Sequence, residues 1–378
     1  MGTKFGFVST YPPTHCGIAT FSSSLITAIQ GLGNHSTSVV RLVDADNQET
    51  SRIPAPEVVA VMKAGNPSSL ANAVDLLNDL DVAVIQHEFG IYGGPDGDEI
   101  LTLLRSLHIP TIVILHTVLA HPTQSQRAIF VEMCSLASAV VTMSKSAREQ
   151  MVAGYLIDPR KIYAIPHGAR ALSGLEYETS EQSPLILTWG LIGPGKGIEW
   201  AIEAMHEIRN LECSPHYLVA GRTHPKVFER NGESYRKGLQ NRINDLGLRE
   251  RVRLEGEYMN SETLDDLIAS AAIVLLPYDS KDQATSGVLI EAVAAWRPVV
   301  ATGFPHAREL LSGGAGIVVD HRNPKAMAAA LRKILGDSEL AMQMSNQARV
   351  MASDLLWPAI GRRYAQLANV LILAEVAA

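Results

Sequence analysis

Cysteine is scarce in this chain of 378 residues: Cys16, Cys134 and Cys213 are its three, and they lie far apart. That spacing offers neither a disulfide framework nor a metal-ligand cluster, and it reads as a protein of a reducing compartment. No apolar run approaches the roughly 18 residues that a membrane-spanning helix needs. The N-terminus lacks the charged and apolar blocks of a signal peptide, because Met1 to Ser9 passes directly into a strand pattern. Position six, where N-myristoylation usually shows Ser or Thr, is Gly6. Internal repeats of 20–50 residues and low-complexity tracts are also missing. These absences lead us to expect a soluble, cytoplasmic protein. The net charge of −7 argues against wholesale binding of nucleic acid, while leaving local basic sites open.

What is present is a globular composition, 47% hydrophobic, in a chain long enough for two domains with full cores. Short apolar runs alternate with helical patterns, the signature of βαβ units and of a parallel sheet. In the first half, strands are expected at 5–8, 38–43, 58–62, 82–86, 111–115, 139–143 and 161–165. A second series follows at 185–189, 216–220, 252–254, 273–276, 298–301 and 316–319. Residues 327–378 read as almost entirely helical. The polar stretch Ser173 to Ser183 reads as the linker between domains.

Ligands of open parallel sheets bind beyond the carboxyl ends of the strands, so the polar residues there are the candidates. In the first half these are the loop Pro12–Gly17 with His15, the cluster His87-Glu88-Phe89-Gly90-Ile91-Tyr92, the pair His116-Thr117, and Pro166-His167-Gly168. A histidine at a strand end can be a hydrogen-bonded structural residue or a functional one; two neighbouring ends that both carry histidine favour function. Gly17 either eases a tight turn or lets a ligand approach the backbone. Asp44 and Asp46 have no ligand company nearby and read as a solvated loop. The first strand is not followed by the G-x-G-x-x-G of a dinucleotide site.

In the second half, Gly190 to Gly197 joins a strand to a helix with several glycines and Lys196, the composition of a phosphate cradle but not of a Walker A sequence. The next strand ends at Gly221-Arg222, a second cation at the same edge. The stretch Tyr278 to Glu291 runs from a strand through a polar loop into a helix opening on Thr285-Ser286-Gly287. Its N-terminal amides and partial positive charge suit a phosphate. Glu291, deeper in that helix among apolar neighbours, is either a solvated charge or an acceptor for hydroxyl donors.

Together these segments resemble the retaining glycosyltransferases of GT-B architecture, specifically family four. The resemblance runs over nearly the whole chain: Pro13–Gly17, His116, Pro166-His167-Gly168, Gly195-Lys196-Gly197, and Gln283 to Glu291 with Pro298-Val299-Val300 after it. It implies an α/β fold of two Rossmann-like domains facing an inter-domain cleft, at 1–172 and 184–354, with helix 357–378 expected to pack back on the first. It also implies roles. Glu291 matches the second Glu of a Glu-x7-Glu motif that holds the donor ribose, and Ser286, Gly287 and Val288 match amides near the diphosphate and sugar. Lys196 matches the diphosphate lysine, Gly17 a glycine whose amide meets the diphosphate, and His116 the histidine near the reacting sugar. The sequence departs from the family at Gln283, where the first Glu of the motif is expected, and at Leu191, where an Arg is usual. Arg222 is the candidate to supply that missing cation.

The expected activity is transfer of a hexose, with retention, from a nucleotide sugar (GDP-mannose first, by family frequency) to a saccharide or other hydroxyl acceptor. No cofactor and no metal are expected: Lys196, Arg222 and helix-dipole amides would stabilise the leaving diphosphate, and that phosphate would take the acceptor's proton. His116, Lys196 and Gln283 are the catalytic candidates, and His15, His87, Glu88 and Tyr92 the acceptor contacts. The expected partners are the nucleotide sugar and the acceptor, with no nucleic acid and no membrane contact beyond weak surface association. Two rivals stand beside this reading: a nucleotide-sugar epimerase, and a sugar-nucleotide-binding protein without catalysis, which Gln283 and Leu191 motivate.

Overall fold

The computed structural model describes residues 2–14, 16–45, 55–172, 175–177, 183–256 and 259–377. Two compact units emerge, one of Met1–Gly168 with Trp357–Ala378 and one of Ala169–Leu356.

The first unit carries strands β1 (Lys4–Ser9), β2 (Ser36–Val43), β3 (Val58–Lys63), β4 (Val82–His87), β5 (Thr111–Leu115), β6 (Ala139–Thr142) and β7 (Ile162–Ala164). They pair side by side, all parallel, in the order β3-β2-β1-β4-β5-β6-β7. The central strands β4, β5 and β6 are mostly Val, Ile, Ala and Leu and are buried at every position, as a parallel sheet covered on both faces requires. Its helices are α1 (Gly17–Gln30), α2 (Pro67–Asn78), α3 (Glu99–Ser106), α4 (Gln124–Leu136) and α5 (Lys145–Gly154). Side-chain caps set several of their starts, with Asn66, Thr123 and Ser144 accepting a first-turn amide.

The second unit carries β8 (Leu185–Trp189), β9 (His216–Ala220), β10 (Val252–Glu255), β11 (Ile273–Leu276), β12 (Val299–Thr302) and β13 (Gly316–Val319). This sheet too is parallel, in the order β10-β9-β8-β11-β12-β13. Helices α6 (Ile198–Glu207), α7 (Pro225–Asn231), α8 (Ser234–Asp245), α9 (Ser261–Ser270), α10 (Gly287–Ala294), α11 (Pro305–Leu311), α12 (Pro324–Leu335) and α13 (Ser338–Leu355) surround it. One core gathers Ile198, Ile202, Tyr217, Ile243 and Leu331. A second, on the opposite face, gathers Leu289, Val293, Phe304 and Leu311. In each sheet the chain leaves the first strand in one direction and returns on its other side, making switch points at β1/β4 and β8/β11. Such points open a crevice at the carboxyl ends of the strands. The thirteen strands among the described residues stand where the alternating pattern put them, to within two residues at most ends.

Part of the stretch expected as a linker is folded onto the second unit. Tyr177 donates its hydroxyl to the Ala272 carbonyl at 3.0 Å. Arg297, 2% exposed, donates to the carbonyls of Ala295, Ala269 and Glu176 and lies 5.0 Å from the Tyr177 ring. Burial lowers the guanidinium pKa to about 10. The buried charge needs those carbonyls, and residues 175–177 close over it.

The last helix, α14 (Trp357–Val376), belongs to the first unit. Trp357, Ile360, Tyr364 and Leu367 join the core of Phe5, Phe7, Phe21 and Leu25. Helices α1 and α14 approach closely, since a Cβ on Gly361 would lie 2.9 Å from the Ala28 Cβ. Among the described residues no helix is long and apolar enough to cross a membrane.

Gly168 anchors the start of α14, because a Cβ there would sit 2.2 Å from the Trp357 ring. Overpacking of this kind costs about 1–3 kcal/mol. Gly168→Ala should therefore lower the melting temperature by about 2–10 °C, whereas Gly17→Ala, with nothing within 4 Å of the added carbon, should leave it in place. Calorimetric scans of both variants check the contrast; an unchanged transition in Gly168→Ala would show that Trp357 is not seated there.

Candidate functional site

Three strand ends of the second unit are locked together by backbone contacts. Gly190 N–H donates to Ala220 O (3.0 Å), Ile192 N–H to Arg222 O (2.9 Å) and His224 N–H to Ile192 O (2.8 Å), extending the pairing of β8 and β9 beyond the sheet. Gly221, at φ +147°, has no room for a Cβ, which would meet the Gly190 carbonyl at 2.0 Å. Gly197, at φ +64°, is constrained in the same way by the Pro277 carbonyl at 1.9 Å. These two glycines thus serve the close approach of loops to one another and not a ligand directly.

The approach places residue 222 beside residue 192, next to Leu191, where the family's cation is missing. Arg222 and Lys196 are both half-buried at this edge. The Lys196 ammonium lies over the Tyr278 ring, 4.3 Å from its centre. His224 feels the local positive field: partial burial, then the charges of Lys226 and Lys196, hold its pKa below the usual imidazole value. In a chain of net charge −7, this is a concentration of positive charge where an anion would bind.

Helix α10 points its N-terminus at the same end of the sheet. Ser286 caps it, accepting Leu289 N–H at 3.2 Å through its hydroxyl. The Ser286 amide is itself engaged, donating to His306 Nδ1 at 2.9 Å. This corrects the expectation that Ser286 supplies an amide to the diphosphate. The helix offers no acceptor to the amides of Gly287 and Val288, its first two positions. Glu291 is not a solvated surface charge. Its Oε2 accepts Trp189 Nε1–H at 3.0 Å, and burial raises its pKa, against the lowering by Trp189 and Arg170. One carboxylate oxygen is thus committed inside the unit. Gln283 donates Nε2–H to the Thr285 carbonyl at 3.1 Å, bracing the loop before α10.

In the first unit, Gly17 opens α1 behind an N-cap Cys16, whose sulfur accepts Ala19 N–H. Its φ lies outside the left-handed region and an added Cβ would meet nothing within 4 Å, so neither the turn nor the packing calls for glycine. His116, at the end of β5, pairs its Nε2 with Gln86 Oε1 at 2.7 Å and lies edge-on to Phe21 at 5.1 Å. Burial, then His167 and His87, push its pKa down to about 3. His87 and His167 are lowered to about 4, both chiefly by burial. All three are neutral at physiological pH.

The expected acceptor contacts divide. His15 lies outside the described residues. His87 is 1% exposed and Tyr92 6%, with the Tyr92 hydroxyl donating to Gln86 O at 2.7 Å. Both side chains turn into the interior, so the reading of these two as acceptor contacts does not hold. Glu88 is half-buried and accepts Thr117 Oγ1–H at 2.5 Å. Asp44 is exposed and Asp46 lies outside the described residues. Among the described residues no group of three His, Cys, Asp or Glu side chains lies together as a metal site would need.

Sequence reasoning missed Trp189, Tyr278 and His306 as site builders. Each had a visible signal: an indole donor at a strand end, an aromatic directly after Pro277, and a histidine opening a Pro-led helix. It also missed Arg236, which donates to the Gly221 carbonyl and braces the end of β9.

Comparison with known proteins finds likenesses in sequence and in fold. The family described as "Glycosyl transferases group 1" matches residues 176–351. The alpha-D-kanosaminyltransferase of Streptomyces kanamyceticus is 27% identical over 56% of this chain, and the match spans 55% of that enzyme's own length. The D-inositol 3-phosphate glycosyltransferase of Corynebacterium glutamicum is 25% identical over 72% of this chain and 70% of the relative. Among solved structures, a glycosyltransferase from Rickettsia africae aligns with a TM-score of 0.77 at 16% identity, covering 98% of this chain and 99% of its own. Anabaena HepE, in complex with UDP and glucose, aligns with a TM-score of 0.73 at 17% identity, over 98% and 100%. At those identities the solved structures establish the fold, two parallel-sheet Rossmann-like α/β domains of the GT-B class. Residues 176–351, a little under half of the chain, are thus similar to the glycosyl transferases group 1 family.

Proposed function

We propose that this protein is a retaining glycosyltransferase that moves a hexose from a nucleotide sugar to a hydroxyl of a saccharide or other acceptor. The observation that carries the proposal is the gathering of Lys196, residue 222, the first amides of α10 and the half-committed carboxylate of Glu291 at the switch point of one sheet. A nucleoside diphosphate has the matching parts, a doubly charged phosphate pair and a ribose with two hydroxyls. Departure of that diphosphate develops negative charge, which a fixed ammonium, a guanidinium and two helix-terminal amides stabilise without reorganising. In the first unit, the groups proposed to serve the donor are the Gly17 amide and the neutral His116 imidazole. Glu88 remains the acceptor contact of choice. GDP-mannose is the first donor to test, together with UDP-linked sugars, because HepE was solved with UDP and glucose.

Lys196→Ala should weaken nucleoside diphosphate binding and slow transfer together, by about 1.5–3 kcal/mol or about ten- to a hundredfold. Titration calorimetry and initial rates measure the two effects, and wild-type turnover in the variant would count against the site.

Activity should survive a strong chelator, because in this proposal the positive charge that faces the leaving diphosphate comes from side chains and amides. Loss of turnover in EDTA, with recovery on adding Mg²⁺ or Mn²⁺, would contradict the metal-independent reading.

Glu291→Gln is the sharpest test. The amide oxygen can still accept from Trp189, so the fold keeps its contact while the ribose meets an NH₂ in place of a charged oxygen. Loss of one charge-assisted bond should weaken free nucleoside diphosphate and donor alike, by about 1.5–3 kcal/mol. Gln283→Ala should spare nucleotide affinity and lower transfer, since residue 283 is proposed to face the sugar. Equal nucleotide affinities for wild type and Glu291→Gln would remove the ribose from this helix. Nucleotide binding without turnover of any donor would favour the non-catalytic reading, and sugar isomerisation without an acceptor would favour the epimerase.

A further inference from the structure

The loop after β8 and the residues after β11 are joined by more than the Gly197 contact. Asp279 N–H donates to Gly195 O at 2.9 Å, and the Asp279 carboxylate takes Trp200 Nε1–H at 3.1 Å and pairs with Arg322 at 3.2 Å. Between these fastenings stands Tyr278. Its ring is 1% exposed and stacks on Phe304 at 5.3 Å. Its carbonyl accepts from Thr302 Oγ1 at 2.6 Å and from His321 Nδ1 at 2.8 Å. Its hydroxyl is buried with no hydrogen-bond partner among the described residues. A ring held this firmly, with its polar end unused, offers one thing to its surroundings, a π face, and the Lys196 ammonium lies over it.

We propose that Tyr278 is a positioning residue, a fixed aromatic platform that holds the Lys196 ammonium ready for the diphosphate. The inference rests on the diphosphate reading of Lys196 given above and extends it to a residue outside the phosphate contacts. A lysine side chain has four rotatable bonds, and ordering them on binding costs affinity. A cation resting on an aromatic face is already partly ordered, and an exposed to half-desolvated contact of this kind is worth about a two- to tenfold change in affinity.

The test is a double-mutant cycle read by calorimetric titration of the intact protein with UDP and with GDP. Tyr278→Leu should weaken the tighter-binding nucleotide about two- to tenfold, and Tyr278→Phe, which keeps the face and drops the unused hydroxyl, should bind as wild type does. In a Lys196→Ala background the Tyr278→Leu change should lose its effect on affinity, because the ammonium it positions is gone. A packing role alone would lower affinity equally in both backgrounds, and that result overturns the inference. So does a Tyr278→Phe variant as weak as Tyr278→Leu. Absence of UDP and GDP binding in the wild type would overturn the diphosphate reading itself, whereas binding without coupling overturns only the role of Tyr278.

Discussion

Bare backbone against bare backbone, at two points, holds the second unit's strand ends in register. A side chain on residue 197 would collide with the Pro277 carbonyl and one on residue 221 with the Gly190 carbonyl. Because neither carries one, the loops after β8, β9 and β11 sit at backbone contact distance. Everything else at that edge follows from the spacing. Gly195 can accept the Asp279 amide, Trp200 can reach the Asp279 carboxylate, and Lys196 can lie on Tyr278. Widening either contact by one methyl group would separate the groups gathered at this edge.

Charge is distributed unevenly between the two units' strand ends. In the second, partial burial and then the charges of Lys226 and Lys196 depress His224, and the Glu291 carboxylate lies among buried neighbours with an indole donor on one oxygen. In the first, His87, His116 and His167 are all held neutral by burial. The first unit therefore offers dipoles and hydrogen-bond groups where the second offers charge.

The fold was legible because its signal is local: thirteen short apolar runs separated by helical periods leave few alternatives to parallel sheets. The places of Lys196, Gly287, Val288 and Glu291 in the fold were legible because strand-to-helix junctions advertise themselves. What was hidden depends on direction and on distance along the chain. A polar residue at a strand end can point outward or into the sheet, and His87 and Tyr92 point in, which no spacing reveals. The amide of Ser286 is taken by a histidine twenty positions later, and Glu291 by an indole 102 positions earlier. Both pairings exist only because the sheet order brings β8, β11 and β12 together. The linker shows the same limit: its composition is that of a spacer, yet Tyr177 closes over a buried Arg297 whose need for carbonyl partners cannot be seen before the fold is known.

The two departures from the family pattern bear on each other through this geometry. A guanidinium at position 191 would grip a phosphate in two directions and orient it, as a planar fork does. Leu191 removes that grip. Lys196 remains, but an ammonium is a point charge on a flexible stem and fixes position better than orientation. Under the proposed reading, orientation comes from groups that do not move, the amides of Gly287 and Val288 and the carboxylate of Glu291. Stiffness of the remaining cation gains value in the same measure. The Tyr278 ring, stacked on Phe304 and tied at its own carbonyl, provides a rigid seat for a flexible charge, in the part of the molecule where the family's rigid charge is absent.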